Sequence, residues 1–172
     1  TVVANSEELV TTFLDDSTCE VATQLSRLTS DDVPAEQAEL GRDLRAGLLR
    51  ARALNFTDRG SEALVLARTM AVKARTAGLT GFESEARYLA GVIEHNQGDE
   101  AGAILDFEQS LRLALEAGID QRALYAGVRL VRRLAHKEGR LTEAQQLLGV
   151  VEALWARLGR DERLEADVNW AR

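Results

Sequence analysis

Few side chains in this sequence could do chemistry, and they are not spaced as catalytic or metal-binding residues are. The histidines are His95 and His136, and the single cysteine is Cys19. Glu94 and His95 are adjacent, so they point in different directions on a helix, and the zinc motif HExxH does not occur. The chain also lacks a Gly-rich phosphate loop and a GxSxG nucleophile motif. We therefore expect no enzyme, no metal site and no cofactor; a general base at His95 or His136 is the weakest alternative.

The composition predicts an all-α protein. The 172 residues are 45% hydrophobic but only 5% aromatic, and Pro34 is the single proline. Alanine, leucine, arginine and glutamate are abundant, and all four are strong helix formers. No run of β-branched and aromatic residues alternates as it would in a strand. Pro34 suits the first turn of a helix that begins "PAEQAEL" and continues into residues 42–57.

The charge distribution limits the partners. Residues 1–41 hold nine acidic side chains and one basic one, Arg27, whereas the remainder holds 19 acidic and 20 basic ones. This argues against nucleic acid, because phosphate binding requires a basic face. A single cysteine favours a reducing compartment, and we find no signal peptide and no apolar run of about 18 residues. We therefore expect a cytoplasmic protein that makes no contact with membranes.

A helix ending recurs along the chain at an interval of 40 and then 41 residues. Each ending is a glycine, which tolerates the positive φ of a helix C-cap. The glycines are Gly78, Gly118 and Gly159. The runs before them, 61–77, 101–117 and 142–158, align through Ala63, Ala103 and Ala144 on one helical face. Their expected N-caps are Ser61, Asp99 and, near the third start, Thr142.

A partner helix precedes each of these runs. We place the partners at residues 42–57, 82–97 and 121–138, joined to the second helices by turns that contain Gly60, Gly98 and Gly139. Small residues such as Ala51, Gly91, Ala63 and Ala103 would let paired helices approach closely. This alignment gives His95 and His136 the same position in successive repeats, and sets Arg132 where a small residue and Glu152 where an apolar residue is expected. The third pair is therefore expected to be splayed or to face a partner.

The segment "YLAGVIEHNQGDEAGAILDFEQSLRLALEAG", residues 88–118, resembles a tetratricopeptide repeat (TPR). The family's spacing is visible in Leu89, Gly91, Gly98, Ala103 and Phe107. The resemblance implies a right-handed α-α superhelix of about three hairpins, with repeats at 42–80, 81–119 and 120–159. Residues 1–41 would form an acidic helical cap or degenerate repeat, and residues 160–172 a capping helix. The long period and the ending "AQQLLGVVEALWARLG" are similar to the last repeats of bacterial LuxR-type and AfsR-type regulators.

The resemblance also implies a binding groove, because first helices line the concave face of such arrays. The groove-facing residues would be Arg45, Leu48, Arg52, Asn55, Phe56, Glu85, Tyr88, Val92, His95, Asn96, Arg129, Arg133, His136 and Lys137. Most are cationic or amide-bearing, so we expect a scaffold that binds a protein or an acidic peptide, in a bacterial signalling or transcription regulator. Val92 and Arg52 stand where the chaperone-binding clamp of the family has asparagine, so no chaperone partner is expected.

Two other functions remain open from the sequence. One is a small-molecule or peptide sensor, which would have an enclosed apolar pocket and would alter a partner's activity. The other is a self-assembling module that forms a homodimer through the acidic segment or the terminal helix. The acidic segment could also dock on the cationic groove.

Overall fold

The computed structural model describes residues 33–137, 139–160, 165, 168 and 169. Six α-helices follow a single 3-10 turn at Ala35–Gln37, and the described residues contain no strand, which confirms the all-α prediction. The helices are α1 (Ala38–Phe56), α2 (Gly60–Thr76), α3 (Thr80–Asn96), α4 (Glu100–Glu116), α5 (Asp120–His136) and α6 (Leu141–Arg157).

The chain divides into two compact units, Thr1–Arg45 and Ala46–Arg172, and the boundary falls inside α1. In the described part of the first unit, the N–H of Gln37 donates to the carbonyl of Pro34 at 2.8 Å, and α1 follows directly. This confirms that one run of helix starts at Pro34 and continues past residue 42. Most of the predicted acidic cap over residues 1–41 lies outside the described residues.

In the second unit, each helix packs on the next one in the chain. The pairs are α2 with α3, α3 with α4, α4 with α5, and α5 with α6. Helices α3 and α5, which are the first helices of successive hairpins, also touch each other. No comparable contact joins α2 to α4 or α4 to α6 among the described helices. The first helices therefore approach one another more closely than the second helices do.

Short turns with a left-handed residue connect the helices. At Gly78 (φ 71°), the N–H donates to Arg75 O at 3.1 Å and the next N–H, of Leu79, donates to Ala74 O at 2.9 Å. This pair of bonds is the Schellman motif, which satisfies carbonyls at the helix end. The same motif ends helices at Gly118 and Gly159, so all three predicted helix ends are confirmed.

The helix register corrects the sequence alignment. Helices α2 to α5 are each 17 residues long and start 20 residues apart, and the one extra residue lies in the turn before α6. His95 is therefore matched by Ala135, and His136 is matched by Asn96. The predicted equivalence of the two histidines is wrong, because the alignment placed the extra residue inside the helix. Arg132 likewise does not replace a small residue, since Val131 is the match of Gly91.

The helix starts were predicted less well than the ends. Asp99 is an N-cap, and its carboxylate accepts a hydrogen bond from Gly102 N at 3.0 Å. Ser61 and Thr142 lie inside α2 and α6, so the N-cap predictions there are wrong; the residues at these caps are Arg59 and Arg140. Gly60 is likewise the first residue of α2, and Asp58 takes the positive φ of 57° in the turn before it.

Small side chains do allow the paired helices to approach closely. A Cβ on Gly91 would lie 3.0 Å from the Phe107 ring and 3.2 Å from the carbonyl oxygen of Ala103. One turn and a half earlier, the hydroxyls of Ser84 and Ser110 each donate to the other residue's carbonyl at 2.9 Å. These reciprocal bonds satisfy two buried hydroxyls without a polar network. Ala51, Ala63 and Ala103 are fully buried, as predicted.

Candidate functional site

Helix α5 carries a basic face. Its apolar side is buried, and the opposite side repeats arginine at spacings of seven and four residues, which places Arg122, Arg129 and Arg133 on one stripe. Tyr125 and Arg132 lie beside the stripe, and Asp120 is the helix's one acidic residue. We call this set the α5 basic face; its residues are Arg122, Tyr125, Arg129, Arg132, Arg133 and His136.

A buried carboxylate anchors one end of this face. Glu85 of α3 is fully buried and forms ion pairs with Arg122 of α5 and Arg52 of α1. The Arg122 guanidinium also stacks on the Tyr88 ring, 4.4 Å from its centroid, and lies 5.8 Å from the Tyr125 centroid. Two guanidinium groups against one carboxylate leave a net positive charge spread over three first helices.

The other end of the face holds a half-exposed carboxylate. Glu100 Oε1 lies 2.6 Å from His95 Nδ1 and 3.2 Å from Arg133 Nη1. Desolvation alone would raise the pKa of Glu100, but the hydrogen bond from His95 and the charge of Arg133 outweigh it and hold the pKa below its usual value. The structure thus brings His95 and Arg133 together, although they are not equivalent in the repeat.

Arg129 lies between these two ends and differs from its neighbours. It is half-buried, and within the described part of the chain it has no carboxylate partner. Arg52, Arg122 and Arg133 all have one. A guanidinium that is partly desolvated and unpaired is able to bind an external anion strongly, since no internal partner competes for it.

The remaining predicted groove residues are dispersed. Arg45 lies in α1, within the first unit, and Leu48 and Glu85 are buried, so these last two do not face a groove. His136 is the final residue of α5, and Lys137 follows it with extended backbone; both are exposed.

Two other members of the set, Asn55 and Asn96, line an open cleft of about 710 Å³ at the ends of α1 and α3. The rest of its lining is Asp58, Arg59, Gly60, Ser61, Glu62 and Gln97. This cleft is polar, unlike the enclosed apolar pocket that the sensor hypothesis predicts.

A second buried cluster was missed from the sequence. Glu94 of α3 and Asp106 of α4 are both almost fully buried; Glu94 pairs with Arg68 of α2, and Asp106 accepts a hydrogen bond from Arg87 at 2.8 Å. Burial, followed by the charge and the hydrogen bond of Asp106, raises the pKa of Glu94 to about 7 despite Arg68. The sequence signal for it was only a pair of acids at positions that helical periodicity turns inward.

Arg122 was also missed. It stands seven residues before Arg129, so its place on the basic stripe could have been read from the helical spacing. Its burial on Tyr88 could not, because that contact depends on how α3 and α5 pack.

No protein-family model, curated protein or solved structure matches the chain. None of the helices in the described part of the chain has the length and apolar character that crossing a membrane requires. The same residues contain no group of three or more histidine, cysteine or acidic side chains placed to hold a metal ion. The resemblance to tetratricopeptide repeats and to bacterial regulators stays a prediction from the residues.

Proposed function

We propose that this protein is a non-catalytic helical-repeat scaffold that binds an acidic peptide or protein segment along the α5 basic face. The observation that carries the proposal is Arg129, a half-buried guanidinium with no carboxylate partner in the described part of the chain. It is flanked on the same stripe by Arg122 and Arg133, whose internal partners fix their positions.

The α3 surface beside this face suits a peptide. Tyr88 is half-buried, tilted against Phe107 with ring centroids 5.8 Å apart, and covered by Arg122. Aromatic and arginine side chains that are held rigidly by packing lose little conformational entropy on binding, which is why they are common in binding sites. The wider setting, a TPR-like module of a cytoplasmic bacterial signalling or transcription regulator, rests on the sequence resemblance alone.

A charge reversal at Arg129 tests the proposal. The probe is a fluorescently labelled hexaglutamate peptide, and its binding is measured by anisotropy at about 50 and about 300 mM NaCl. We expect binding that weakens with salt and that falls about tenfold further in Arg129→Glu, because the reversal replaces an attraction with a repulsion.

The matched control is Arg112→Glu, which makes the same change of charge on α4. Arg112 pairs with Glu116 at 2.6 Å and does not belong to the α5 basic face. If the two variants bind hexaglutamate equally well, or if the wild type does not bind it at all, the assignment of the α5 basic face is wrong.

A further inference from the structure

The contact between His95, Arg133 and Glu100 has the geometry of a carboxylate bound by two side chains from different helices. His95 Nδ1 is 2.6 Å from Glu100 Oε1, and Arg133 Nη1 is 3.0 Å from His95 Nε2 and 3.2 Å from the same Glu100 oxygen. One tautomer satisfies all three groups: a proton on Nδ1 donates to Glu100, and Nε2 accepts from Arg133. The imidazole is thereby oriented toward the carboxylate.

The two sides of this contact differ in how firmly they are held. The Arg133 side chain is only 11% exposed and His95 is 33% exposed, whereas Glu100 is 52% exposed and is the first residue of α4. The cationic side is therefore fixed by packing, while the carboxylate is free to leave for solvent. Glu85 is the opposite case, since it is fully buried and its departure would leave two guanidinium groups without a counter-charge.

The surrounding charge favours an anion at this place with or without Glu100. Helix α5 contributes Arg129 four residues before Arg133 and Lys137 four residues after it, and Lys137 is exposed. Glu100 is the one acidic residue that pairs with Arg133 in the described part of the chain. Its low pKa reports the same field, because His95 and Arg133 stabilise its charged form.

We infer that His95 and Arg133 form a carboxylate-binding subsite of the α5 basic face, and that Glu100 occupies this subsite as an internal competitor which a carboxylate of the partner displaces. This rests on the proposed function for the identity of the partner, but not for the existence of the subsite. The partner would then need two acidic groups, one for Arg129 and one to replace Glu100.

The first experiment compares Glu100→Ala with Glu116→Ala. Both variants remove one exposed glutamate from α4, but Glu116 pairs only with Arg112 at the other end of the helix. We expect hexaglutamate to bind about threefold more tightly to Glu100→Ala than to Glu116→Ala, since the loss of an exposed ion pair frees Arg133. Equal affinities for the two variants would overturn the competitor role of Glu100.

The second experiment does not depend on peptide binding. Sodium acetate is titrated into Glu100→Ala, with sodium chloride at equal ionic strength as the reference, and the ring resonances of the chain's two histidines are followed by NMR. We expect acetate to shift the His95 resonances saturably and to leave those of His136 unchanged, and to have little effect on His95 in the wild type. Equal shifts at the two histidines, or none, would overturn the subsite.

Together the two readouts separate the possible failures. An acetate response at His95 without any hexaglutamate binding would refute the scaffold proposal while the subsite stands. Hexaglutamate binding that depends on Arg129 but without an acetate response would do the reverse.

Discussion

At the scale of single residues, the buried pair of Glu94 and Asp106 is the most costly arrangement in the described part of the chain. Two carboxyl groups in a low-dielectric interior cannot both ionise cheaply, so one of them keeps its proton. The charged and titratable groups around them are Arg68 from α2, Arg87 from α3 and, at the start of α4, Asp99. Glu94 is the carboxyl whose pKa rises, to about 7.

This pair predicts that stability falls as the pH rises through neutrality. A folded-state pKa of about 7 lies above the ordinary value of 4.5, so the contribution of Glu94 is complete below about pH 4.5 and is lost as the pH passes 7. The free energy of unfolding should therefore decrease between about pH 5 and pH 8, by at most about 3 kcal/mol from this group. Urea denaturation followed by circular dichroism measures it.

The variant Glu94→Gln isolates the effect. Its amide can donate to Asp106 as the protonated carboxyl does, but it cannot ionise. We expect a flatter pH profile in Glu94→Gln and an unchanged profile in Glu116→Gln, where an exposed glutamate is replaced. A wild-type slope that persists in Glu94→Gln would show that other groups, such as the histidines, cause it.

At the scale of helices, contact distances between paired helices decide which glycines matter. Gly91 faces α4 so closely that an added methyl group would meet both the Phe107 ring and the backbone of Ala103. Gly149 also lies inside a helix, α6, but a methyl group there would meet nothing within 4 Å. The two residues share the conformational cost of glycine in a helix and differ only in their surroundings.

Alanine substitutions should therefore have opposite effects at these two positions. In Gly149→Ala, the higher helix propensity should raise the free energy of unfolding by about 0.5–1 kcal/mol. In Gly91→Ala, overpacking against a backbone carbonyl that cannot move aside should outweigh this gain and destabilise the protein by about 1–3 kcal/mol. Thermal or urea unfolding of both variants checks the sign, and stabilisation by Gly91→Ala would contradict the close approach of α3 and α4.

The helix ends were predictable from the sequence and the register was not. Gly78, Gly118 and Gly159 announce the ends because few other residues adopt positive φ at low cost. Their spacing of 40 and 41 shows that one residue is inserted but gives no sign of where. The structure places it in the turn at 137–140, outside the hydrogen-bonded helix, where an extra residue breaks no ladder. His95 and His136 were mismatched for this reason.

At the scale of the whole described array, Glu85 joins three hairpins. It lies on α3 and pairs with Arg52 of α1 and Arg122 of α5, so one side chain links first helices that are distant in sequence. Glu85→Gln would leave two largely buried guanidinium groups around a neutral amide. We expect the free energy of unfolding to fall by about 3 kcal/mol or more, since breaking a buried ion pair costs this much.

The control for this prediction is Glu83→Gln, two residues away on the same helix. Glu83 is also buried, but it forms no ion pair within the described residues. Its loss should cost much less than the loss of Glu85 in the same urea titration. Similar losses for the two variants would mean that Glu85 does not link the hairpins energetically.

The candidate site was predictable only in part. The basic residues of α5 and the involvement of His95 followed from residue type and repeat position. The identity of the paired and unpaired arginines did not, because pairing depends on carboxylates from other helices, Glu85 and Glu100, whose positions are set by packing. Arg122 pairs with Glu85 across 37 residues of sequence, and Arg133 pairs with Glu100 across 33.

The constant 20-residue step from α2 to α5 has a consequence for how this chain can change in length. One step reverses the chain direction, and two steps restore it with the same turn chemistry at both junctions. Duplication or excision of a 40-residue cassette would thus preserve every seam, whereas a 20-residue change would send all later helices the wrong way. Such an array can gain or lose binding surface in whole hairpins, with no intermediate lengths.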